Sequence, residues 1–208
     1  MRVGTLVHRS DAFSSDWQSI LDDDSLLIER TLAGDRSAFG ILVSRYQNRL
    51  YSSVLSVTGS AEEAEDVVQD AFVRAFVKLD SFQQSSQFFT WLYRIAFNAA
   101  LSRHRRRRNR VSLDQAREQT GLDPIDDGET PDEPMMRRER IARVRAAMAM
   151  LTEEHRAILV LREMDECPYE TIAEILKISI GTVRSRLSRA RFQLKVALEA
   201  MQNADESN

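Results

Sequence analysis

The sequence has few of the residues that build metal sites and disulfides. Its 208 residues include a single cysteine, Cys167, and three histidines that lie far apart, His8, His104 and His155. A disulfide needs two cysteines, and a structural zinc site needs several Cys or His ligands at close spacing. We therefore expect no intrachain disulfide, no metal and no other cofactor. The single cysteine also fits the reducing cytoplasm.

Long hydrophobic runs are missing as well. No continuous apolar stretch approaches the roughly 20 residues that cross a bilayer, and the first residues hold no apolar stretch of signal-peptide length. The sequence also lacks a phosphate-binding glycine loop and an H-E-x-x-H motif, which argues against an enzyme acting on nucleic acids. These absences favour a cytoplasmic protein that does not insert into membranes.

The spacing of the apolar residues favours helices throughout. Apolar residues recur at helical intervals, and no segment alternates strictly as a half-buried strand would. Residues 111–134 interrupt this pattern with three of the four prolines and with eight acidic residues against one arginine, a composition that predicts a flexible linker. We expect an all-α protein with a poorly ordered extension over 1–24, small helical domains over 25–110 and 135–208, and the flexible acidic linker between them.

Positive charge is concentrated in two blocks, although the chain is acidic overall at a formal net charge of −3. Residues 88–110 hold seven arginines and no acidic residue, and residues 179–195 hold four arginines and Lys195, again without an acid. Basic blocks of this kind suit nucleic acid, because binding a phosphate backbone releases counterions. Solvated helix faces are the alternative interpretation, since charge runs are common on helices.

The second basic block follows a short helix and a tight connection. The stretch YETIAEIL (169–176) predicts a short amphipathic helix, and Ser179 is placed to cap the helix that follows. In that second helix Val183, Leu187 and Ala190 form a narrow apolar stripe, and arginine and serine lie opposite. This is the helix-turn-helix arrangement, whose second helix enters the major groove of DNA. A plain helical hairpin is the alternative.

The first basic block carries aromatic residues where a simple amphipathic helix would be polar. On the helix that FFTWLYRIAFNAA (88–100) predicts, Tyr93 and Phe97 lie opposite the apolar stripe and beside Arg94. Exposed aromatics mixed with arginine are typical of surfaces that stack unpaired bases. Packing against other helices of the domain is the alternative, because large apolar residues are mostly buried.

An acidic strip is predicted on another helix of the first domain, AEEAEDVVQDAFVRAF (61–76). Asp66, Gln69 and Asp70 share its outer face with Val73. An acidic surface repels DNA, but it can dock a basic protein surface. A merely solvated face is again the alternative.

Five stretches resemble the extracytoplasmic-function (ECF) class of sigma factors, the promoter-recognition subunits of bacterial RNA polymerase. In the family's order they are GDRSAFGILVSRY (34–46), AEDVVQDAFVRAF (64–76), FFTWLYRIAFNAA (88–100), LREMDECPYETIAEIL (161–176) and GTVRSRLSRAR (181–191). The resemblance implies two helical domains. Region 2 would bind the clamp helices of the polymerase core and melt the minus-ten element of promoter DNA. Region 4 would bind the flap tip and read the minus-thirty-five element.

The resemblance also implies roles for individual residues. Those expected at the minus-ten element are Trp91, Tyr93, Arg94, Phe97, Asn98, Arg105 and Arg106. Those expected at the minus-thirty-five element are Thr182, Arg184, Ser185, Arg186, Ser188 and Arg189. Those expected to contact the polymerase are Asp66, Gln69 and Asp70. The acidic linker would follow the RNA exit path, and an anti-sigma factor is an expected partner.

The sequence departs from the family pattern at Thr152, where proline is common, and at 83–87, where the loop more usually contains arginine or glycine. A stand-alone helix-turn-helix regulator is the alternative function. Such a regulator would bind duplex DNA tightly without polymerase, whereas a sigma factor would need the core enzyme.

Overall fold

The structure, a computed structural model, describes residues 24–82, 86–113 and 135–206, with side chains over 24–82, 86–103 and 139–204. Within these ranges the regular secondary structure is helical and no strand is present, which confirms the all-α prediction. Residues 1–23 of the expected extension and residues 114–134 of the expected linker lie outside the described residues.

The first domain is a group of helices. They are α1 (24–32), α2 (Arg36–Thr58), α3 (Ala61–Val77), a short 3-10 turn (Leu79–Ser81) and α4 (Phe88–Leu113). The second domain follows with α5 (Met135–Ala149), α6 (Glu153–Leu159), a π-helical turn (Val160–Met164), α7 (Tyr169–Leu176) and α8 (Ile180–Glu206). The last two helices form the predicted helix-turn-helix pair.

Capping residues set the boundaries of α2 and α3. The Asp35 carboxylate accepts a hydrogen bond from the backbone N–H of Ser37 over 3.0 Å, and Gly59 ends α2 with a φ of 73°. The Ser60 hydroxyl accepts from the backbone N–H of Glu63 over 3.3 Å at the start of α3. Each cap satisfies an amide that has no partner inside the helix, and glycine reaches the left-handed region without steric cost.

The apolar faces that the sequence predicts are turned inward. Val183, Leu187 and Ala190 of α8 are buried, and so are Phe88 and Leu92 of α4. Burying a side chain of this size stabilises the fold by about 1.5–3 kcal/mol relative to leaving it exposed. Periodicity therefore located the inner stripe of α8. On α4 it located Phe88 and Leu92, whereas Ile95 and Ala99 at the same spacing are only half-buried.

Two boundaries differ from those expected. Helix α4 continues to Leu113, beyond the expected end of the domain at residue 110. Asp24, placed by the sequence in a poorly ordered extension, is helical and buried, and it accepts hydrogen bonds from Arg45 and Tyr46 of α2. These two donors hold Asp24 against α2, so the first domain begins no later than this residue.

The two domains pack against each other. Helix α4 contacts α6 and α7, while α2 contacts α6 and the π-helical turn. Buried apolar residues of both domains form one continuous cluster. The contact decides which side of α4 is exposed, and the sequence of α4 alone does not indicate it.

Candidate nucleic-acid and polymerase interfaces

The outer side of α8 carries the residues expected at the minus-thirty-five element. The Ser179 hydroxyl accepts a hydrogen bond from the backbone N–H of Thr182 over 3.1 Å, as the predicted cap requires. The expected residues are exposed or half-exposed and lie around the side away from the buried stripe: Thr182, Arg184, Ser185, Arg186, Ser188 and Arg189. Hydroxyl and guanidinium donors thus line the first turns of the helix, the part that meets base edges in helix-turn-helix proteins.

Two arginines of α8 pair with acids of their own domain. Arg186 lies 3.0 Å from Glu154, and Arg191 lies 2.7 Å from Glu163. The hydrogen bond to the Glu163 carboxylate raises the pKa of the Arg191 guanidinium above its ordinary value. Arg184, by contrast, is exposed and makes no ion pair with a residue whose side chain is described. Its guanidinium is therefore better placed for DNA than that of Arg186.

The expectation that Tyr93 and Phe97 are exposed is wrong for this structure. Their relative accessibilities are 0% and 1%, and their rings stack with centroids 5.7 Å apart. The Tyr93 hydroxyl donates a hydrogen bond to Asp165 of the second domain. Amphipathic spacing predicts one buried side for α4, but α4 is buried from two sides because the second domain covers it. The alternative interpretation, that these aromatic residues pack against other helices, is therefore the correct one for Tyr93 and Phe97.

Trp91 and Asn98 differ from each other in accessibility. Trp91 is buried inside its own domain, where its ring centroid lies 5.1 Å from that of Phe82 and 6.0 Å from that of Phe88. Asn98 is half-buried, and its side-chain amide donates to the backbone carbonyl of Arg94 over 2.6 Å. That hydrogen bond orients the Asn98 side chain along α4. Trp91 packs against Phe82 and Phe88 in the core of the first domain.

Arg94 and Asn98 line a cavity of about 580 Å³ between α3, α4 and the end of α7. Arg94 also lies 3.6 Å from the Glu174 carboxylate of α7. The remaining charged walls are mostly basic: Arg74, Lys78, Arg103 and Lys177, with Asp70. Cations converging on a concave surface attract a phosphate-bearing ligand. Arg105 and Arg106 continue along α4, but their side chains lie outside the described residues.

The acidic strip of α3 is exposed, but its carboxylates already share a cation. Arg103 of α4 donates hydrogen bonds to Asp66 over 3.2 Å and to Asp70 over 2.8 Å. Gln69 and Val73 are exposed beside them. The sequence assigned Arg103 only to the basic block of α4. Its position between two helices follows from the packing of α3 on α4, which sequence reasoning did not resolve.

A buried polar cluster joins the two domains at Asp165. The Ser53 hydroxyl lies 2.8 Å and 3.0 Å from the two carboxylate oxygens, and the Tyr93 hydroxyl donates over 3.3 Å. Arg49 donates from Nε to the carboxylate over 3.2 Å and from Nη2 to the backbone carbonyl over 2.7 Å. Burial raises the pKa of the Asp165 carboxyl, although the hydrogen bonds oppose the shift. We call these four residues the Asp165 cluster.

The backbone before Asp165 places its side chain against the first domain. Asp165 ends the π-helical turn, and its N–H donates to the carbonyl of Val160 over 3.0 Å. The next residue, Glu166, has a φ of 56°, which few residues other than glycine adopt. Single π-helical turns often occur at functional sites. Asp165 stands among other charged residues, Arg162, Glu163 and Glu166, and the sequence does not distinguish it from them, so the cluster was not predicted.

Within the described residues, no helix combines the length and the hydrophobicity needed to cross a bilayer. In the same part of the chain, no group of three or more His, Cys, Asp or Glu is arranged to hold a metal ion. Cys167 is buried, and burial raises the pKa of its thiol to about 12.

Comparison with known proteins identifies both domains. The family model of sigma-70 region 2 matches residues 42–110, and that of sigma-70 region 4 matches residues 141–194. The chain is 38% identical over 185 residues to the RNA polymerase sigma-H factor of Pseudomonas aeruginosa, covering 86% of this chain and 96% of the relative. It is 39% identical over 173 residues to the ECF RNA polymerase sigma-E factor of Escherichia coli, covering 81% and 90%.

A solved structure extends the similarity to three dimensions. The sigma factor RpoE, in complex with the anti-sigma factor NepR from Bartonella quintana, is 29% identical and superposes with a TM-score of 0.61. The superposition covers 77% of this chain and 96% of that one. Two helical domains, a basic helix-turn-helix and matches of this length define a promoter-recognition subunit.

The chain belongs to the sigma-70 family, within its extracytoplasmic-function class. It is a sigma factor that directs core RNA polymerase to specific promoters and initiates transcription, as the resemblance implied. The alternative of a stand-alone regulator is not favoured, because the matches cover region 2 as well as the helix-turn-helix. Its relatives are initiation factors, and the family is not one of enzymes.

Proposed function

We propose that this sigma factor divides promoter contact between its two basic helices and binds polymerase through α3. The observation that carries the proposal is the two-sided character of α8. Its inner stripe of Val183, Leu187 and Ala190 is buried, whereas Arg184 and Ser185 in its first turns are exposed. A hairpin that served packing alone would have no need of an outer side with arginine and serine but no acid.

Region 4 would read the minus-thirty-five element with the start of α8. Arg184 is exposed in the second turn, where a bidentate guanidinium can reach the acceptors of guanine in the major groove. Thr182, Ser185 and Ser188 would add hydroxyl contacts to bases or phosphates. Arg186 would join them after leaving Glu154, an exposed acid whose ion pair is worth little in water.

Region 2 would hold the minus-ten element at the basic cavity. Asn98 offers an amide that can hydrogen-bond a base extruded from the stack, and Arg94 lies one helical turn away. Arg105 and Arg106, further along α4, would follow the phosphate backbone. Base stacking by Tyr93 and Phe97 requires that the second domain first move away from α4.

Asp66, Gln69 and Asp70 would contact the clamp helices of the polymerase core, and region 4 would contact the flap tip. The two carboxylates are exposed, so a basic partner can replace or join Arg103 without any change in the core of the domain. Residues 111–134 carry the acidic excess of the chain and would act as the flexible linker along the RNA exit path.

The proposed setting is the cytoplasm, and the proposed activity is binding rather than catalysis. An anti-sigma factor is the expected regulator, since a solved sigma factor that superposes on this chain is held in such a complex. The surfaces available to it are those described above for promoter and polymerase, because covering either one blocks initiation.

Run-off transcription with core polymerase tests the proposal. Adding the full-length chain should produce transcripts from its own promoters, and the purified chain alone should bind duplex promoter DNA only weakly. Arg184→Ala should reduce transcription, while Lys195→Ala serves as the control, since Lys195 is an exposed cation further along α8 that pairs with Glu199. Nanomolar, sequence-specific binding of duplex DNA without polymerase would contradict the proposal.

A further inference from the structure

A second cavity, of about 520 Å³, lies where the end of α2 meets the second domain. Its walls come from α2, α5, α6 and the π-helical turn. Cavities that hold small molecules measure about 300–1,000 Å³, so this one is large enough for such a ligand. None of its lining residues is among those assigned above to the promoter or to the polymerase. The proposed function therefore gives this cavity no role.

The walls of this cavity are largely apolar. Leu55 of α2 faces Ile141, Val144 and Met148 of α5 across it, and Met164 of the π-helical turn completes the wall. Val144 is 45% exposed and Met164 is 54% exposed, so apolar surface remains in contact with water. Covering such surface is favourable, and methionine side chains adapt their shape to an apolar ligand. The cavity therefore suits a molecule with an apolar chain.

The charged residues of the cavity all carry the same sign. Arg140, Arg145 and Arg156 line it, and no acidic residue does so within the described part of the chain. Arg140 is exposed and makes no ion pair with a residue whose side chain is described. Cations that converge on a concave surface with apolar walls attract an anion. The charge of the site therefore selects a negatively charged head group.

Arg156 has an unused hydrogen-bond donor. Its side chain is only 9% exposed, and its Nη2 donates to the Glu153 carboxylate over 3.0 Å. Its Nε is buried and has no hydrogen-bond partner in the described part of the chain. Buried polar groups nearly always have a partner, and a ligand is one way to supply it. A carboxylate in the cavity can accept from this guanidinium after a small rotation of the arginine side chain.

We propose that this cavity binds a long-chain carboxylate of the fatty-acid class, with the carboxylate at the arginines and the apolar chain along α5. A small inorganic anion would leave the apolar walls uncovered, and a neutral hydrocarbon would leave the arginine charges without a partner. A fatty acid satisfies both features at once. Because the walls belong to α2 as well as to the second domain, the bound ligand contacts both domains.

Isothermal titration calorimetry of the full-length chain tests the inference, with dodecanoate as the probe below its micelle concentration. Dodecanoate should bind saturably, with a single molecule per chain. Dodecyltrimethylammonium has the same chain and a positive head group, and acetate has the carboxylate without the chain. Both should bind about tenfold or more weakly, since a hydrogen bond to a charged group or the apolar contact is lost. Dodecanoate should also raise the midpoint of thermal unfolding, because it binds the folded state.

Two pairs of variants place the ligand in this cavity. Val144→Glu puts an acid in the apolar wall at an exposed position and should weaken dodecanoate binding about tenfold or more by charge repulsion. Val196→Glu is its control, because Val196 is 47% exposed on α8 outside the cavity. Arg140→Ala should also weaken binding, whereas Arg143→Ala, at an exposed arginine of α5 that does not line the cavity, should not.

Three outcomes would overturn the inference: no saturable binding of dodecanoate, equal binding of dodecyltrimethylammonium, or the same affinity in Val144→Glu and Val196→Glu. The last outcome would mean that the probe binds elsewhere on the chain. Run-off transcription without any fatty acid tests the proposed function separately, so either proposal can fail while the other stands.

Discussion

Arg103 of α4 donates a hydrogen bond to the carboxylate of Asp70 on α3 over 2.8 Å, and through its other terminal nitrogen it reaches Asp66. The ion pairs join the helix proposed at the minus-ten element to the strip proposed at the polymerase. A partner that binds the carboxylates of Asp66 and Asp70 therefore competes with Arg103 for them. Arg103 also lines the cavity that contains Asn98.

Reversing the charge of the strip should abolish polymerase binding. In Asp66→Arg with Asp70→Arg, both new cations face a basic surface and lie next to Arg103, so binding to core polymerase and transcription should be lost. Helical content should not change, because both positions are exposed or half-exposed. Co-purification with core polymerase and circular dichroism measure the two effects. Glu29→Arg, at an exposed acid on α1 rather than on α3, is the control and should bind normally. Normal binding by the double variant would refute the assignment.

Asn98→Ala should impair promoter opening without weakening polymerase binding. Losing one set of base hydrogen bonds should cost about 1–3 kcal/mol, by analogy with base contacts in duplex DNA. The amide already donates to the carbonyl of Arg94, so its oxygen remains available to a base. Permanganate reactivity of the minus-ten region reports opening directly. Asn48→Ala, at an exposed asparagine on α2, provides a control. Equal opening by Asn98→Ala and the wild type would exclude the contact.

Alanine substitutions of Arg184 and Arg191 on α8 should affect promoter recognition in different ways. Arg184→Ala should relax the preference at particular minus-thirty-five positions, since a base contact carries sequence information. Arg191→Ala should weaken all promoters alike and lower the salt slope by about one, as expected for a phosphate contact. A promoter library measured at several salt concentrations separates the two patterns. The same profile for both variants would refute this division of roles.

Thr152→Ala should destabilise the second domain. The Thr152 side chain accepts a hydrogen bond from the backbone N–H of His155 at the start of α6, and losing such a cap costs about 1 kcal/mol. Urea unfolding should show a lower midpoint with an unchanged slope. Thr152→Ser, which keeps the hydroxyl, should restore most of the loss. An unchanged midpoint in Thr152→Ala would show that the cap contributes nothing.

The sequence predicted those features of the fold that depend on residues close together in the chain. The inner stripe of α8 and its Ser179 cap depend on residues a few positions apart, and the structure has both. The sequence of α4 predicts that Tyr93 and Phe97 are exposed. In the structure both are buried, because helices far away in sequence pack against that side of α4. The same holds for Asp165, whose donors at Arg49, Ser53 and Tyr93 lie far from it in sequence.

The burial of Cys167 has a consequence for redox chemistry on this sigma factor. A thiol whose pKa is raised to about 12 remains protonated at neutral pH, and thiols react with peroxides mainly as thiolates. The thiol is therefore poorly reactive toward oxidants where it lies in this structure. A redox signal acting at Cys167 would first require a movement that exposes the sulfur.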